Sequence, residues 1–347
     1  MSKREHLSRY KHRRIHKKDA IKAGVIFCGA VLLLVVAAFG IQSWQDSHSI
    51  VENAGQEVAN ATAQDAPQQQ IEYDDVLYQR KDAVEAYLFM GIDESGPVRS
   101  NKSYVGGGQA DFQLLLVVDH ESQTWQLLQF NRDSMVEVPV LGVLRTEIGT
   151  EYQQLALAHT YGEGLKDSCM NNVTAVSRML GNQPIDGYIS LNMDAVMVLN
   201  DLVGGVTVTI ESDFSEVDPT LVMGETVTLQ GEQALHFVRT RKNVDDETNL
   251  ARMKRQRQYL SALIEKMLSQ DTEIIVEGYE AVWDYMVTDM GSRTLVDLAE
   301  QIKGYEELDT LTIDGENYLD SHGFMAYELD EDSLQQTILK LFYRPVS

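Results

Sequence analysis

The stretch FQLLLVV, residues 112–118, is followed after a short polar segment by WQLLQFN, residues 125–131. Both are short apolar runs bounded by Asp or Asn, a pattern typical of buried strands. The connection between them is only as long as a hairpin loop, so we expect the two strands to pair antiparallel. Together they predict the middle of a β-sheet.

Further apolar runs predict strands at Tyr87–Ile92 and Val206–Ile210. Helical periodicity occurs in six segments, which are Leu165–Leu180, Asp194–Leu202, Leu250–Leu268, Glu273–Tyr285, Thr294–Ile302 and Glu331–Phe342. Strands mixed with several amphipathic helices predict an α/β layer structure. Because some connections are helix-length and one is hairpin-length, we expect a mixed central β-sheet.

Residues 23–41 carry no charge, and as a helix they would span roughly 28 Å, close to the thickness of a bilayer core. Nine Lys and Arg residues lie within residues 1–22, which the positive-inside rule places in the cytoplasm. A cleaved signal peptide is the alternative, but the apolar run exceeds the usual length of its apolar region. We therefore expect a single-pass anchor in the cell membrane, with everything after Ile41 outside.

Residues 42–75 are rich in Gln, Ala, Asn, Ser and Asp and lack a sustained apolar period, which predicts an extracellular stalk. Residues 76–347 are long enough to bury a sizeable core and form the expected extracellular domain. Cys169 is the one cysteine outside the predicted span, so no disulfide can form within the exported part. We expect its side chain to be a small buried apolar group.

The chain after Ile41 holds 20 basic and 51 acidic residues, a net charge of −31. Such a region is unsuited to nucleic-acid binding, which needs a basic surface. Seven of the 20 basic residues nevertheless fall within nineteen positions, namely Arg239, Arg241, Lys242, Arg252, Lys254, Arg255 and Arg257. This local cluster predicts a site for a concentrated anion such as phosphate or pyrophosphate.

Acidic side chains stand at the ends of three predicted strands. Asp93 follows the first, Asp111 directly precedes the second, and Arg132 and Asp133 follow the third. If these ends converge, carboxylates would lie beside an arginine and could hold Mg²⁺ against a phosphate. Taken singly, each aspartate is better explained as a cap of a strand or turn, and only their joint placement favours a common site.

One face of the helix beginning near Leu250 carries Arg252, Arg255, Gln256 and Tyr259, and the adjacent stripe carries Met253, Leu260, Ile264 and Met267. The arginines would then stand at the edge of buried apolar surface, where a guanidinium can bind phosphate with two hydrogen bonds. The alternative is an ordinary solvated basic face paired with surplus carboxylates. No Gly-x-Ser-x-Gly, His-Glu-x-x-His or Ser-x-x-Lys signature is present after Ile41, which disfavours the hydrolases that use them.

An ordered set of motifs resembles the LytR-CpsA-Psr family over about residues 87–267. The motifs are Phe89-Met-Gly-Ile-Asp93, Asp111 before a strand, Asn131-Arg-Asp133, Tyr161-Gly162, Asp201-Leu-Val-Gly-Gly-Val206, Gly231-Glu-Gln-Ala-Leu235, Val238-Arg-Thr-Arg241 and Arg252-Met-Lys-Arg-Gln256. The resemblance implies a mixed sheet packed between helices, with an apolar tunnel for a prenyl chain. It also implies a Mg²⁺-dependent phosphotransferase that moves a glycan from a polyprenyl-pyrophosphate carrier onto peptidoglycan.

The same resemblance assigns roles to individual residues. Pyrophosphate would be bound by Arg132, Arg239, Arg241, Arg252, Arg255 and Gln256, and the metal by Asp93 and Asp111. The expected catalytic residues are Arg132, Asp133, Arg239 and Arg241. The expected partners are therefore the lipid-linked glycan, peptidoglycan and the membrane, without nucleic acid.

Four positions depart from the family pattern. Gln109 stands where an arginine is usual, Asn131 where a proline is usual, Gln154 near a usual lysine and Asn249 where an aspartate is usual. Asp245 and Asp246 lie near enough in sequence to replace the missing carboxylate. A lost contact to phosphate costs roughly 1.5–3 kcal/mol, so the departures also allow a second hypothesis, a noncatalytic module that binds lipid-linked or cell-wall polymers.

Overall fold

The computed structural model describes residues 67–103, 105–268 and 273–346. The predicted cytoplasmic segment, the predicted span at 23–41 and most of the predicted stalk lie outside these residues. None of the helices within the described ranges combines the length and the apolar character that crossing a bilayer requires.

Within the described residues, the helices agree closely with the six predicted segments, and one additional helix is present. They are α1 Lys166–Met179, α2 Asp194–Leu202, α3 Glu232–Arg239, α4 Asn249–Leu268, α5 Glu273–Val282, α6 Ser292–Ile302 and α7 Glu331–Phe342. Short 3-10 helices occupy Leu155–Thr160 and Trp283–Tyr285. The additional helix is α3.

The strands include all four that the sequence predicts, with ends that differ by a few residues. They are β1 Gln70–Tyr73, β2 Val76–Arg80, β3 Val84–Ile92, β4 Ala110–Asp119, β5 Thr124–Gln129, β6 Met135–Leu141, β7 Glu147–Gln154, β8 Gly187–Asn192, β9 Val206–Thr209, β10 Thr226–Leu229, β11 Met286–Thr288, β12 Glu306–Glu307, β13 Leu311–Thr312, β14 Gly315–Leu319, β15 Met325–Leu329 and β16 Tyr343–Pro345.

The central sheet has seven strands in the order β11-β8-β3-β4-β5-β12, with β13 also pairing with β5. Strands β3, β4 and β5 are antiparallel neighbours, whereas β8 runs parallel to β3 and both β12 and β13 run parallel to β5. The sheet is therefore mixed, as predicted. Its middle is the β4–β5 hairpin, which contains the apolar runs at residues 112–118 and 125–131.

The two faces of the sheet bury separate sets of alternating side chains. Leu114 and Leu116 face a core that includes residues of α3, α4 and α6, whereas Leu115 and Val117 face a core that includes residues of α1 and α7. Each fully buried leucine contributes about 1.5–3 kcal/mol relative to an exposed one. The sheet is thus packed between helices, and Cys169 of α1 is buried in the second core as expected.

The boundary predicted between stalk and domain at residue 75 is too late. Gln70–Tyr73 form β1, which pairs antiparallel with β2, and β2 pairs in turn with the C-terminal strand β16. Ile71 and Tyr73 pack against the second core. The alternation of these two apolar residues with polar ones is a strand pattern too short to stand out within a Gln-rich segment.

Candidate functional site

Three strand ends meet at one edge of the central sheet. Since β4 is antiparallel to both β3 and β5, its first residues lie beside the last residues of its two neighbours. The backbone N–H of Asp93 donates to the carbonyl of Gln109 at 3.0 Å, and Arg132 forms an ion pair with Asp111. The ends of β3, β4 and β5 therefore converge, as a common site requires.

Asp111 is the centre of the charged cluster at this edge. It is buried, and its two carboxylate oxygens have different arginine partners. Oδ1 pairs with Arg132, which comes from the loop after β5, and Oδ2 accepts from Nη1 of Arg252 in α4 at 2.9 Å. One carboxylate thereby holds two guanidinium groups that are distant in sequence.

Asp133 is a second buried carboxylate beside the same arginines. Its Oδ1 lies 3.2 Å from Nε of Arg132, and its Oδ2 lies 3.8 Å from Nη1 of Arg241. Burial raises the pKa of Asp133 despite these two cations. Oδ2 is buried and has no hydrogen-bond partner among the described residues.

Two asparagine side chains connect the loop after β5 to the start of α4. The Asp133 backbone N–H donates to Oδ1 of Asn131 at 3.0 Å, and Oδ1 of Asn249 accepts from Arg252 through Nε at 3.1 Å and Nη2 at 2.6 Å. These donors fix both amide orientations, so Nδ2 of Asn249 must donate to Oδ1 of Asn131, at 2.6 Å. The two family departures at these positions therefore form a matched pair.

Arg255 holds the segment that joins α3 to α4. Its Nε donates to the carbonyl of Phe237 at 3.2 Å, its Nη2 donates to the carbonyl of Thr240, and its Nη1 pairs with Asp245. The guanidinium also lies 5.4 Å from the centre of the Phe214 ring. Asp245 thus pairs with Arg255. It does not replace the carboxylate that the family usually has at position 249, beside Arg252.

The predicted pyrophosphate-binding residues fall into an accessible and a buried group. Side-chain exposure is 17% for Arg132 and 33% for Arg241, and Arg239 is exposed. Arg252 and Arg255 each have 5% side-chain exposure, and burial lowers the pKa of both. In this structure Arg239 and Arg241 are open to an external anion. Arg132 is partly exposed, but each of its guanidinium nitrogens already faces Asp111, Asp133 or Gln109. Arg252 and Arg255 are enclosed by protein groups.

Gln256 is also buried, and its Nε2 donates to the carbonyl of Val238 at 3.3 Å. This contact reinforces the hold of α4 on the segment carrying Arg239 and Arg241. The altered position Gln154 lies in a different environment, with its Nε2 donating to the carbonyl of Met325 at 3.2 Å. Gln154 therefore supports the packing of two hairpins.

Asp93 is the most accessible carboxylate of the cluster. Its Oδ1 accepts from the backbone N–H of Gln109 at 2.6 Å, and Oε1 of Gln109 accepts from Arg132. Burial raises the pKa of Asp93, and the nearby charge of Asp111 acts in the same direction. Within the described residues, no group of three or more His, Cys, Asp or Glu side chains is placed to hold a metal.

The two carboxylates Asp93 and Asp111 fit one kind of metal site. Mg²⁺ is commonly held by one or two carboxylates together with phosphate oxygens and water. The second oxygen of Asp93 is not engaged by a described residue, whereas both oxygens of Asp111 are paired with arginine. Each carboxylate oxygen has two lone pairs, so Asp111 could bind a metal beside its arginine contacts.

An apolar cavity of about 170 Å³ adjoins the cluster. It lies between one face of the sheet and helices α2, α4 and α5, and its walls include Phe89, Leu114, Ile189, Leu199, Tyr259 and Leu263. Gln256 and Val238 line it at the side of the arginines, and Gly91 lines it two residues before Asp93. The arginine side chains and an apolar cavity thus lie in the same region of the molecule.

His159 forms no hydrogen bond or ion pair with the charged residues of this cluster in the described part of the chain. His159 is buried, with Nδ1 3.3 Å from the carbonyl of Gly108, and burial lowers its pKa to about 4. Nε2 lies 3.6 Å from Sγ of Cys169, whose pKa burial raises to about 12. These groups are neutral core residues.

Asn192, at the end of β8, is a further residue at this edge that was not predicted, because its strand was not predicted. Asn192 is buried and its Nδ2 donates to the carbonyl of Gly96 at 2.8 Å. Since β8 runs parallel to β3, Asn192 comes to the same edge of the sheet as Asp93. The local strand signal is weak, because Tyr188 and Ile189 are adjacent apolar residues and only Ile189–Asn192 alternate.

Comparison with known proteins gives one family. The family model described as LytR_cpsA_psr matches residues 48–342. The polyisoprenyl-teichoic acid–peptidoglycan teichoic acid transferase TagU of Enterococcus faecalis is 30% identical over 58% of this chain and 60% of its own length. This chain thus aligns with less than two thirds of that relative. The corresponding transferase TagT of Bacillus subtilis is 27% identical over 92% of this chain and 94% of its own length.

Solved structures share the fold. The crystal structure of TagV from Bacillus subtilis superposes with a TM-score of 0.57 and 26% identity, covering 75% of this chain and 96% of that chain. A structure of TagT bound to LI-WTA gives a TM-score of 0.57 at 24% identity, over 79% of this chain and 94% of that one. The mixed sheet between helices is therefore the architecture of these proteins.

Proposed function

The chain belongs to the LytR-CpsA-Psr family, and we propose that it is a phosphotransferase that moves a glycan-phosphate from a polyprenyl-pyrophosphate carrier to peptidoglycan. The relatives' names support this reaction, since they describe transfer of teichoic acid from a polyisoprenyl carrier. The observation that carries the proposal is the apolar cavity beside two accessible arginines, Arg239 and Arg241, and the partly exposed Arg132. A lipid with a charged head requires both surfaces.

The arginines would bind the pyrophosphate at the entrance of the cavity. Arg239 and Arg241 flank Thr240, whose carbonyl is held by Arg255, so their backbone is fixed before the substrate arrives. Charge-assisted hydrogen bonds from guanidinium to phosphate contribute about 1.5–3 kcal/mol each. Fixing the donors beforehand avoids part of the ordering cost of binding.

The reaction exchanges one phosphorus–oxygen bond for another. An acceptor hydroxyl of peptidoglycan attacks the phosphorus that carries the glycan, and the bond to the bridging oxygen of the pyrophosphate breaks. Prenyl phosphate leaves, a phosphodiester joins glycan to acceptor, and the hydroxyl proton is released. Arg132, Arg239 and Arg241 would stabilise the negative charge that develops on the transferred and departing phosphates.

Asp133 and the buried arginines would position these groups. Asp133 keeps Arg132 and Arg241 within one cluster, and Arg252 holds Asp111 from the opposite side. Asp93 and Asp111 would hold Mg²⁺ together with phosphate oxygens. When bound, the metal would neutralise phosphate charge.

The substrate also suggests where the protein works. A polyprenyl carrier resides in a membrane and peptidoglycan lies outside the cytoplasm, which agrees with the predicted N-terminal anchor and extracellular domain. The net charge of −31 after Ile41 disfavours nucleic acid as a partner. We therefore place the site outside the cell membrane, tethered by residues 23–41.

The proposal is tested with the full-length chain in detergent, a polyprenyl-diphosphate-linked glycan and soluble peptidoglycan strands. We expect Mg²⁺-dependent formation of the phosphodiester and release of prenyl phosphate. Arg241→Gln should lower kcat/KM by about one to two decades. Lys254→Gln is the matched control, because Lys254 is 70% exposed on α4 and pairs only with Glu211 among the described residues. Equal activity of both variants would contradict the assigned cluster.

A noncatalytic polymer-binding module is the second candidate. It is favoured by Gln109, whose neutral amide oxygen accepts a hydrogen bond from Arg132. An arginine is usual at this position in the family, so the cluster has one cation fewer. It is also favoured by Asp111, both of whose oxygens are already paired. Binding of the lipid-linked glycan without product release at any Mg²⁺ concentration would support this second function.

A further inference from the structure

The β14–β15 hairpin ends in an exposed apolar tip. Leu319, the last residue of β14, and Phe324, the residue before β15, are each 65% exposed. Tyr318, next to Leu319, is also exposed. Single exposed apolar residues are common on soluble proteins, but a group of them marks an interaction surface.

The turn between Leu319 and Phe324 is fixed by one aspartate. Oδ1 of Asp320 accepts from the backbone N–H groups of His322 and Phe324, both at 2.8 Å. The backbone N–H of Asp320 donates to the carbonyl of Phe324 at 2.9 Å. The two apolar side chains are therefore held on a formed turn, which lowers the ordering cost of burying them against a partner.

The base of this hairpin contacts the candidate site. The backbone N–H of Tyr327 donates to the carbonyl of Asp133 at 2.8 Å, and Tyr327 also forms a β-bridge with Ser134. Phe324 is three residues before Tyr327, a distance of about 10 Å along a strand. The apolar tip therefore lies near the charged cluster.

The predicted membrane anchor joins the domain far from this site. Gln70, the first residue of β1, pairs with Gln79 of β2, shortly before β3 begins. The nine residues of β3 then carry the chain about 30 Å to Asp93. Residues 42–69 lie between the predicted span and β1, and a chain of that length can extend over about 90 Å. The anchor thus allows the site to reach the bilayer surface but does not hold it there.

A second apolar tip lies farther from the site. The turn between β6 and β7 carries Val143 at 76% and Leu144 at 85% exposure. Strand β6 begins two residues after Asp133, and its seven residues carry the chain about 23 Å to this turn. A domain that rested on Val143 and Leu144 would hold the arginines away from the bilayer.

We propose that the tip formed by Leu319 and Phe324 inserts into the outer surface of the membrane that contains the polyprenyl carrier. The inference rests on the proposed function and adds the surface through which the domain reaches its lipid substrate. Because the diphosphate of the carrier lies at the bilayer surface, insertion of a tip close to Asp133 brings the arginine cluster to that level. The Tyr318 ring, beside Leu319, suits the headgroup region, where tyrosine is enriched.

The contact with the membrane is apolar. Asp320 gives the tip a negative charge, and Glu316 and Glu328 are exposed on the hairpin behind it. Anionic lipids would repel these carboxylates. Insertion is therefore expected to be at least as strong in zwitterionic phosphatidylcholine as in phosphatidylglycerol.

The test uses the full-length chain in phosphatidylcholine vesicles that contain a polyprenyl-diphosphate-linked glycan. Phe324→Cys carries a polarity-sensitive fluorophore, and Leu144→Cys, at the distant tip, is the matched control. Both are made with Cys28→Ser, which removes the thiol of the predicted span, whereas Cys169 is buried. We expect the label at Phe324 to be quenched by brominated phosphatidylcholine and the label at Leu144 to keep the emission of a water-exposed site.

Activity gives a second measurement. Leu319→Ser combined with Phe324→Ser should lower the rate with vesicle-embedded carrier about tenfold, because most of the apolar surface that inserts is lost. The affinity of this variant for geranylgeranyl diphosphate in detergent should stay within about twofold of the wild type, since no phosphate contact changes. Val143→Ser combined with Leu144→Ser should leave both values unchanged. Melting temperatures establish that the variants are folded.

The membrane contact is refuted if the label at Phe324 reports water in vesicles on which the wild type is active, or if only the label at Leu144 is quenched. It is also refuted if loss of Leu319 and Phe324 raises the KM for peptidoglycan equally in detergent and in vesicles, because the tip would then bind the wall polymer. Failure of the proposed function gives a different result, in which the label at Phe324 is quenched but the wild type forms no phosphodiester.

Discussion

Replacement of Arg255 by methionine tests whether the buried arginines stabilise the fold, in contrast to the exposed arginines that are proposed to bind phosphate. Methionine has a similar length but cannot donate to the carbonyls of Phe237 and Thr240 or pair with Asp245. Breaking a buried pair costs about 3–5 kcal/mol. The Asp245 side chain is 27% exposed, so water can hydrate it once the arginine is removed. We therefore expect the free energy of unfolding to fall by about 3 kcal/mol, the lower end of this range.

Arg241→Met is the matched comparison. Arg241 is 33% exposed and lies 3.8 Å from its nearest carboxylate, that of Asp133, so its pair stabilises the fold by no more than about 1 kcal/mol. It is, however, a proposed phosphate ligand, and its loss should weaken diphosphate binding by one to two decades, equal to about 1.5–3 kcal/mol.

The assay is urea unfolding of the full-length chain in detergent, with the slope of free energy against urea checked between variants. Geranylgeranyl diphosphate affinity is measured on the same preparations. If Arg255→Met retains the wild-type free energy of unfolding within about 1 kcal/mol, the buried contacts do not hold the segment as described. If Arg241→Met is destabilised as much as Arg255→Met, the division into two groups of arginines is wrong.

Three further outcomes follow from other parts of the structure. Burial raises the pKa of Glu307 to about 8 from an ordinary value of 4.5, so its stabilisation is complete below pH 4.5 and is lost as pH rises towards 8. Glu307→Gln should therefore flatten the fall in melting temperature over this interval, whereas Glu306→Gln, at an exposed neighbour, should not. Val196→Trp, which narrows the apolar cavity, should weaken binding of geranylgeranyl diphosphate about tenfold and leave inorganic pyrophosphate unchanged, as calorimetry would show. Leu116→Ala, at a fully buried position in β4, should lower the free energy of unfolding by about 2–5 kcal/mol in urea titrations.

The local sequence pattern was sufficient to locate several of the strands and helices that form the core. The β4–β5 hairpin and helices such as α2 and α7 have apolar periodicity strong enough to locate them within a few residues. Other elements were not predicted, and β7 and β8 show the physical reasons. Strand β7 is exposed over most of its length and so has no buried face to mark it, and β8 is a six-residue strand whose parallel pairing with β3 joins distant parts of the chain.

The candidate site was predictable as a set of residues but not as a geometry. Spacing and charge indicated that aspartates at strand ends and the arginines near residue 250 belong together. Which arginines are buried depends on contacts such as Asp111 with Arg252 and Asn131 with Asn249, between residues more than 100 positions apart. No local pattern encodes those pairings, because they follow from the packing of α4 against the edge of the sheet.

The proposed pairing of a cationic head site with an apolar cavity is tested most directly by a crystal structure of the chain with geranylgeranyl diphosphate. We expect the diphosphate within hydrogen-bond distance of Arg132, Arg239 and Arg241, and the hydrocarbon chain between Phe89, Leu199 and Tyr259. A diphosphate bound away from these arginines, or a hydrocarbon chain outside that cavity, would contradict the proposed function.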